Sequence, residues 1–387
     1  MKKKIAILGS TGSIGKTLLN ILIKEKKNFE IVLLVANKSH KTLIKQAKIF
    51  KVKNIIITDK KKYEIFMKDS KNINLNVYND FTKLNKIFKK KIDYVMSSVS
   101  GIQGLEPTLK IIKFTKKIAI ANKESIICGW NLIQSELTKH KTEFIPVDSE
   151  HFSIWYGLKN SKKNNLEKIF LTASGGPFYK KSLKKFKDIK VSDALKHPNW
   201  KMGKKISTDS ANMINKVYEV IEAKKIFNID YKKIKILIHP KSYIHAILKF
   251  ENGLTNIIVH DTTMKVPIFN TLFLNNERKL NTKKINVKIL NNLDLKNVNT
   301  KRYPMVKLLN FLPNKHSLFE TVIVSANDKL VELFLNNKIK FTDIQKKLFK
   351  IIKKKEFQKF KNKTPISIGD ITNLNDYVRL KITQNSI

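Results

Sequence analysis

The sequence predicts an α/β protein: a doubly wound parallel sheet, then an α+β segment, then a C-terminal helical bundle. Three observations carry this. Short apolar runs alternate with stretches of helical period through the first 150 residues, as in strands joined by crossover helices. A glycine-rich turn stands directly after the first run. From Lys301 onward Leu, Ile, Phe and Val recur at helical spacing instead, over 308–312, 318–335 and 344–352, the pattern of packed helices.

The first strand is expected from Lys4 to Gly9, leaving no room for a leader peptide. Gly9-Ser10-Thr11-Gly12-Ser13-Ile14-Gly15 follows, then a helical pattern through Leu18, Leu19, Leu22 and Ile23. Strand, glycine turn and helix in that order cradle a pyrophosphate, because glycines let the backbone approach and the helix N-terminus supplies free N–H groups. The first domain therefore reads as Rossmann-like, with G-x-x-G-x-x-G as a variant of the usual spacing. A second strand, Ile31–Ala36, ends in Asn37, Lys38 and Ser39, with no acid to bond a ribose 2′-hydroxyl. These residues suit a 2′-phosphate, which favours NADPH over NADH; a polar loop bearing one of many lysines is the other reading.

Further strands are expected at Asn54–Thr58, Tyr94–Val99, Lys117–Ala121 and Glu143–Val147, with helices over Lys41–Phe50, Phe81–Lys90 and Leu105–Lys113. Asn122, Lys123, Glu124 and Ser125 then stand at a strand's carboxyl end, where such sheets bind ligands. Cys128 lies inside the following helix between Ile127 and Gly129, a packing position rather than a nucleophile's. Pro146-Val147-Asp148-Ser149-Glu150-His151 reads as extended chain, placing Asp148 and Glu150 on one face roughly 7 Å apart. Two converging carboxylates need a cation or a shared proton between them; a solvated acidic turn is the alternative.

In the middle of the chain, Ser174-Gly175-Gly176 closes a strand with exposed N–H groups and a hydroxyl, a small anion nest or an ordinary tight turn. Residues 197–205, containing His197, Trp200 and Gly203, suit a mobile lid or a structural loop. Asp209 or Ser210 is a good N-cap for a helix reaching about Lys225. On it Asn215 and Glu219 share a face and Lys216 flanks them. Lys216 and Glu219 are a surface ion pair if that face looks outward; inward, Glu219 is a third carboxylate, and Ser210, Asn215 and Lys216 are phosphate donors. Strands are expected at Ile234–Ile238, Tyr243–Phe250 and Thr255–His260, with His245 and His260 structural.

Composition bounds the rest. No apolar run reaches the roughly 18 residues of a membrane span. A single cysteine excludes an intrachain disulfide and fits a reducing cytoplasm. The net charge of +46, from 77 Lys+Arg against 31 Asp+Glu, ordinarily raises nucleic-acid binding. Here the lysines are spread evenly among Asn, Ile and Phe, which share AT-rich codons, and no nucleic-acid-binding motif accompanies them.

Taken together, GSTGSIG (9–15), ANKES (121–125), PVDSEH (146–151), ASGGPF (173–178), HPNWKMGKKISTDSA (197–211), Asn215-Lys216 with EVIEA (219–223) and HPKSYIHA (239–246) resemble the 1-deoxy-D-xylulose 5-phosphate reductoisomerase family of the non-mevalonate (MEP) isoprenoid pathway. A SANE-type stretch is similar to Ser325-Ala326-Asn327-Asp328. The resemblance implies an NADPH-binding domain over 1–147, a catalytic and connective domain over 148–276, a linker over 277–300 and a helical domain over 301–387, in a cytoplasmic homodimer. It implies Mg²⁺ or Mn²⁺ on Asp148, Glu150 and Glu219. Lys123, Ser149, Glu150, Ser174, His197, Ser210, Asn215, Lys216 and Glu219 would hold the phosphorylated sugar, with Asp148, Glu150, Glu219, Lys123 and His197 catalytic. Thr11, Gly12, Ser13, Ile14, Asn37, Lys38, Ser39, Asn122, Glu124 and Gly203 would sit at the cofactor. The implied reaction is a metal-assisted skeletal rearrangement of 1-deoxy-D-xylulose 5-phosphate, then hydride transfer from NADPH, giving 2-C-methyl-D-erythritol 4-phosphate. The chain departs from the family's usual residues at Asn37-Lys38-Ser39, at Lys241 and at Thr262-Thr263-Met264-Lys265. A plain NADPH dehydrogenase would share the first domain but needs neither the carboxylates nor the nest.

Overall fold

The structure is a computed structural model that describes residues 2–69, 74–159, 165–200, 202–273 and 278–384. Lys201, inside the expected lid, and the expected domain boundary at 276/277 lie outside the described residues. The chain forms two compact units. The first comprises 1–125, 132–148 and 264–281, and the second 126–131, 149–263 and 282–387.

In the first unit, seven strands are described: β1 (Lys3–Leu8), β2 (Phe29–Ala36), β3 (Asn54–Ile57), β4 (Asn76–Tyr78), β5 (Tyr94–Ser97), β6 (Lys117–Ile120) and β7 (Glu143–Pro146). All pair in parallel, in the order β4-β3-β2-β1-β5-β6-β7. A parallel sheet is covered on both faces, so its strands are nearly continuous apolar runs; Ile5, Ala6, Ile7 and Leu8 are all buried. Strand order reverses at β1, between β2 and β5. The crevice at that switch point is where such sheets bind ligands, and the glycine turn after β1 stands there. Among the elements not foreseen are the Lys60–Asp69 helix and β4. The helix opens on three lysines and β4 has three residues, so neither carries a periodic signal.

The segment 264–281, expected in the catalytic domain up to 276 and in the linker beyond it, groups with this first unit. Its helix, Lys265–Phe273, packs on the Ser13–Leu22 helix, and Ile268 and Phe273 join a core containing Ile5, Leu18, Leu34 and Met96. Phe273 meets Phe29 edge-on at 5.6 Å, and Arg278 pairs with Glu25 at 2.8 Å.

In the second unit, β8 (Leu166–Ala173), β9 (Ile234–Ile238), β10 (Ile244–Phe250), β11 (Thr255–Val259) and β12 (Lys296–Asn297) form a mixed sheet ordered β11-β10-β8-β9-β12. Strands β8 and β9 are parallel and the other pairs antiparallel. The helices Ser149–Leu158 and Ile214–Phe227 contribute Ile154, Val220, Ala223 and Phe227 to a core with Leu166, Ile169, Leu171 and Leu248. The C-terminal helices group with this unit. Phe319–Leu335 packs against Phe341–Ile352, Ile368–Gln384 and Lys204–Ala211.

Three expectations are corrected. Asp148 and Glu150 do not share a strand: β7 stops at Pro146 and a helix begins at Ser149, putting Glu150 in its first turn. An acid there is favoured by the helix dipole. The helix expected from Asp209 or Ser210 is two helices, Lys204–Ala211 and Ile214–Phe227, broken where Met213 adopts φ 72°. Asp209 and Ser210 are therefore inside the first, and Asn212 accepts from the Ile214 N–H at the start of the second. The expected linker is partly structured, since β12 pairs with β9. Among the described residues no helix is long and apolar enough to cross a membrane.

Buried Tyr94 bonds Thr271 at 2.7 Å, and Thr271 in turn donates to the Ile268 carbonyl, so the tyrosine hydroxyl is the donor. Tyr94→Phe removes this tie to the returning helix without opening a cavity. It should cost about 1 kcal/mol, read as a lower urea midpoint at unchanged slope.

Candidate active site

In the first unit the turn after β1 leaves no room for side chains at two glycines. Gly9 sits at φ 84°, and a Cβ there would lie 2.7 Å from the Ser98 carbonyl oxygen. A Cβ on Gly15 would lie 2.5 Å from Gly9 O. The Gly12 N–H closes the turn onto Gly9 O at 3.1 Å, and the helix begins at Ser13. Thr11, Gly12, Ser13 and Ile14 thus ring a helix N-terminus whose first N–H groups have no intrahelical acceptor. Asn37, Lys38 and Ser39 are exposed just beyond β2, with the Asn37 amide bonded to Thr58 at 2.9 Å.

Asn122 is buried and its side chain is committed to backbone. Its Nδ2 donates to the Val99 and Gly101 carbonyls, and its Oδ1 accepts from the Ser125 N–H at 2.7 Å, capping the helix that follows. This clamp aims the first turn of that helix, where Lys123 reaches Asp148 at 2.5 Å. Glu124 is buried beside it. Cys128 is 2% exposed, as a packing position requires.

In the second unit the charged centre is Glu150, Lys216 and Glu219. Lys216 is 5% exposed and Glu219 1%. The Lys216 ammonium lies 2.6 Å from Glu150 Oε1 and also contacts the Glu219 carboxylate. Asn215 donates to Glu219 Oε1 at 2.6 Å, as their four-residue spacing implies. His151, also buried, bonds the Glu219 carbonyl through Nε2 at 2.9 Å. The Ser149 hydroxyl donates to Glu150 Oε2 at 2.5 Å. Burial pushes the Glu150 carboxyl up, but the Lys216 ammonium and the Ser149 hydroxyl outweigh it and hold it well below the usual carboxylate range. Burial likewise pulls Lys216 down, and its two carboxylates hold it above its ordinary value. Both members of the Glu150–Lys216 pair therefore stay charged.

The nest stands on the same unit. Gly175 and Gly176 have φ of 83° and 66°, and a Cβ on Gly176 would lie 2.9 Å from the Ser210 carbonyl oxygen. Ser174 Oγ accepts from the Gly176 N–H at 3.0 Å and pairs with His197 Nε2 at 3.1 Å. His197 Nδ1 accepts from the N–H groups of Asn199 and Trp200 at 3.2 and 3.0 Å. Because Nδ1 is an acceptor, the ring proton is on Nε2, which donates to Ser174. Burial and the nearby Lys216 charge pull His197 down to about 4, so the ring is neutral at pH 7. Ser174 thereby accepts twice and keeps its own O–H for a ligand. Gly203 caps the Lys204–Ala211 helix on this unit.

Two supporting residues were not visible in the sequence. The buried Tyr303 hydroxyl donates to the Gly175 carbonyl at 2.8 Å, and Arg302 donates to the carbonyls of Phe178 and Lys181 at 2.7 Å each. They come from the supposed helical domain, over 120 residues away, where no local pattern marks them. His245 and His260, read as structural, stack at 3.6 Å with Trp200 edge-on to His245.

Family profiles described as 1-deoxy-D-xylulose 5-phosphate reductoisomerase, as its C-terminal domain and as the DXP reductoisomerase C-terminal domain match residues 5–129, 144–227 and 260–381. The chain is 62% identical over 387 residues to the 1-deoxy-D-xylulose 5-phosphate reductoisomerase of Pelagibacter ubique, covering 100% of both chains. It is 38% identical to that of Clostridium tetani over 357 residues, 91% of this chain and 92% of the other. Among solved structures it is similar to the Zymomonas mobilis reductoisomerase in complex with NADPH, at TM-score 0.87 and 28% identity over 100% of this chain and 99% of that one. It is also similar to a DOX-P reductoisomerase in complex with NADPH, fosmidomycin and magnesium, at TM-score 0.89 and 27% identity over 99% and 98%. With its glycine turn, its paired carboxylates and its Gly175-Gly176 turn described, the chain belongs to the 1-deoxy-D-xylulose 5-phosphate reductoisomerase family.

Proposed function

We propose that the chain converts 1-deoxy-D-xylulose 5-phosphate to 2-C-methyl-D-erythritol 4-phosphate with NADPH and a divalent metal, through Asp148, Glu150 and Glu219 as the metal's ligands. The observation that carries this is the pair of carboxylates, Glu150 and Glu219, drawn together around one cation, the Lys216 ammonium. Asp148 precedes Glu150 by two residues. An all-oxygen donor set suits a hard ion such as Mg²⁺ or Mn²⁺, so the residues fit the group. When bound, the metal supplies Lewis-acid polarisation of the substrate's ketone and hydroxyl oxygens, and NADPH supplies a hydride.

The chain's own groups do the rest. Ser174, Ser210, Asn215 and the Gly175-Gly176 backbone bind the phosphate, and neutral His197 fixes the Ser174 hydroxyl so that its proton points outward. Lys216 balances the carboxylates and offers a further donor to the substrate. Ser149, hydrogen-bonded to Glu150, offers its hydroxyl oxygen to a substrate hydroxyl. Lys123, aimed by the Asn122 clamp and paired with Asp148, neutralises charge on the substrate oxygens. The turn at Thr11–Ile14 receives the dinucleotide pyrophosphate, Lys38 and Ser39 the 2′-phosphate, and Asn122, Glu124 and Gly203 complete that site. Trp200 covers the substrate and excludes water.

Within this reading, residues 1–147 bind the nucleotide, 148–276 carry the chemistry and 301–387 brace it. The homodimer is supported by β11, a sheet-edge strand bearing exposed Ile257 next to exposed Leu254, since an open edge invites pairing with another copy. Cytoplasmic location is supported by the lone, buried, reduced cysteine.

Turnover of 1-deoxy-D-xylulose 5-phosphate, followed as NADPH oxidation, should stop with EDTA and return with Mg²⁺ or Mn²⁺; undiminished rates after chelation would sink the proposal. Glu150→Gln or Glu219→Gln should weaken metal binding by at least about tenfold, read by isothermal titration of Mn²⁺. Lys216→Gln leaves two carboxylates facing each other and should cost about 3 kcal/mol without metal. Added Mg²⁺ should then raise its melting temperature more than that of the unsubstituted protein. His197 should show no NMR titration between pH 6 and 8, its transition lying near the depressed value; a midpoint at 6.5 would contradict the assigned tautomer.

A further inference from the structure

We infer that Asp209 and Asn327 form a positioning pair that sets the phosphate-binding turn through the short Lys204–Ala211 helix. This rests on the reading of Ser174, Gly176 and Ser210 as the phosphate site. The helix has little intrinsic reason to hold its place. It spans two turns of sequence KKISTDSA, and its N-cap Gly203 makes no side-chain cap bond. Helices this short are marginal alone, and Ile, Ser, Thr and Asp are middling to poor formers. Tertiary contacts must therefore fix it.

The polar contact is specific. Asp209 is 2% exposed and Asn327, on the Phe319–Leu335 helix, 0%. Asn327 Nδ2 donates to Asp209 Oδ1 at 2.8 Å. Lys205, one turn before Asp209, reaches Asp209 Oδ2 at 3.3 Å and Asp328 Oδ1 at 3.0 Å. A buried carboxylate thus meets the Asn327 amide and the half-buried Lys205 ammonium, which also lies 5.8 Å from the Tyr218 ring centre.

Asp209 is followed directly by Ser210. A Cβ on Gly176 would stand 2.9 Å from the Ser210 carbonyl oxygen and 3.1 Å from the Ala211 Cα. The end of the helix is therefore pressed against the turn with no slack. Any displacement that follows loss of the Asn327 bond moves Ser210 relative to Ser174 and Gly176. Neither Asp209 nor Asn327 is a catalytic residue here; both act through the backbone of 210 and 176.

The test compares Asn327→Asp, Asn327→Ser and the reciprocal double variant Asp209→Asn/Asn327→Asp in the full chain. Asn327→Asp sets two carboxylates against each other; the double variant restores one amide and one carboxylate. Loss of a hydrogen bond to a charged group corresponds to about a tenfold effect. Asn327→Asp should raise KM for the phosphorylated substrate about tenfold and weaken competitive inhibition by inorganic phosphate similarly. The KM for NADPH should be unchanged, and the double variant should recover most of the loss. Asn327→Ser, which leaves Asp209 with Lys205, should show the same direction if Asn327→Asp fails to fold. A lowered melting temperature with unchanged KM and unchanged phosphate inhibition, or no recovery in the double variant, overturns the pair as a positioning device. The unsubstituted enzyme separates the two readings. Its failure to turn over substrate counts against the reductoisomerase, while the shift in melting temperature with added phosphate still judges the pair.

Discussion

The Lys216 ammonium is where the local structure of the second unit and its electrostatics meet. It contacts carboxylates from two helices, Glu150 in the first turn of Ser149–Leu158 and Glu219 one turn along its own helix. Burial alone would push the Glu150 carboxyl towards its protonated form. Beside the lysine it stays ionised, and a carboxylate so held keeps lone pairs for another cation. Desolvating such a cluster is expensive, and buried ion pairs seldom add net stability. Its value lies in holding oxygen donors in one orientation before any ligand arrives, which is what a site for a hard metal requires.

The nest is built on the opposite principle, from backbone rather than charge. Its turn forms because Gly175 and Gly176 take conformations that other residues rarely adopt, which lets the Gly176 N–H close onto Ser174 Oγ. Its one hydroxyl is oriented by a neutral imidazole whose tautomer is set by two backbone donors. Among the C-terminal helices and the turn that leads into them, Tyr303, Arg302 and, one step removed, Asn327 anchor this arrangement. Those helices are best understood as part of the wall of the site.

Local pattern made much of this legible. The apolar strands, the glycine turn and the Asn215–Glu219 spacing all follow from short-range rules, and each has its counterpart in the structure. The backbone at Asp148–Glu150 was misread because Pro146 and Val147 continue a strand-like run, while Ser149 and Glu150 carry the weaker signal of a helix start. The break at Met213 is hidden because a residue at positive φ without glycine leaves no mark in composition. Tyr303, Asn327 and the returning helix 265–273 depend on partners more than 100 residues away, which periodicity does not report.

The interleaved chain path has a consequence for synthesis. When a ribosome has released 150 residues, every strand of the first sheet has emerged, yet Ile268 and Phe273 have not. The apolar flank of the Ser13–Leu22 helix then stays open until the segment 264–281 follows, after about half of the second unit has already been made. The nascent sheet must wait with that flank uncovered, a period in which chaperone capture competes with misassociation. A chain cut after β7 would keep the glycine turn but lack its last core layer, so the two units are not separable parts of the gene.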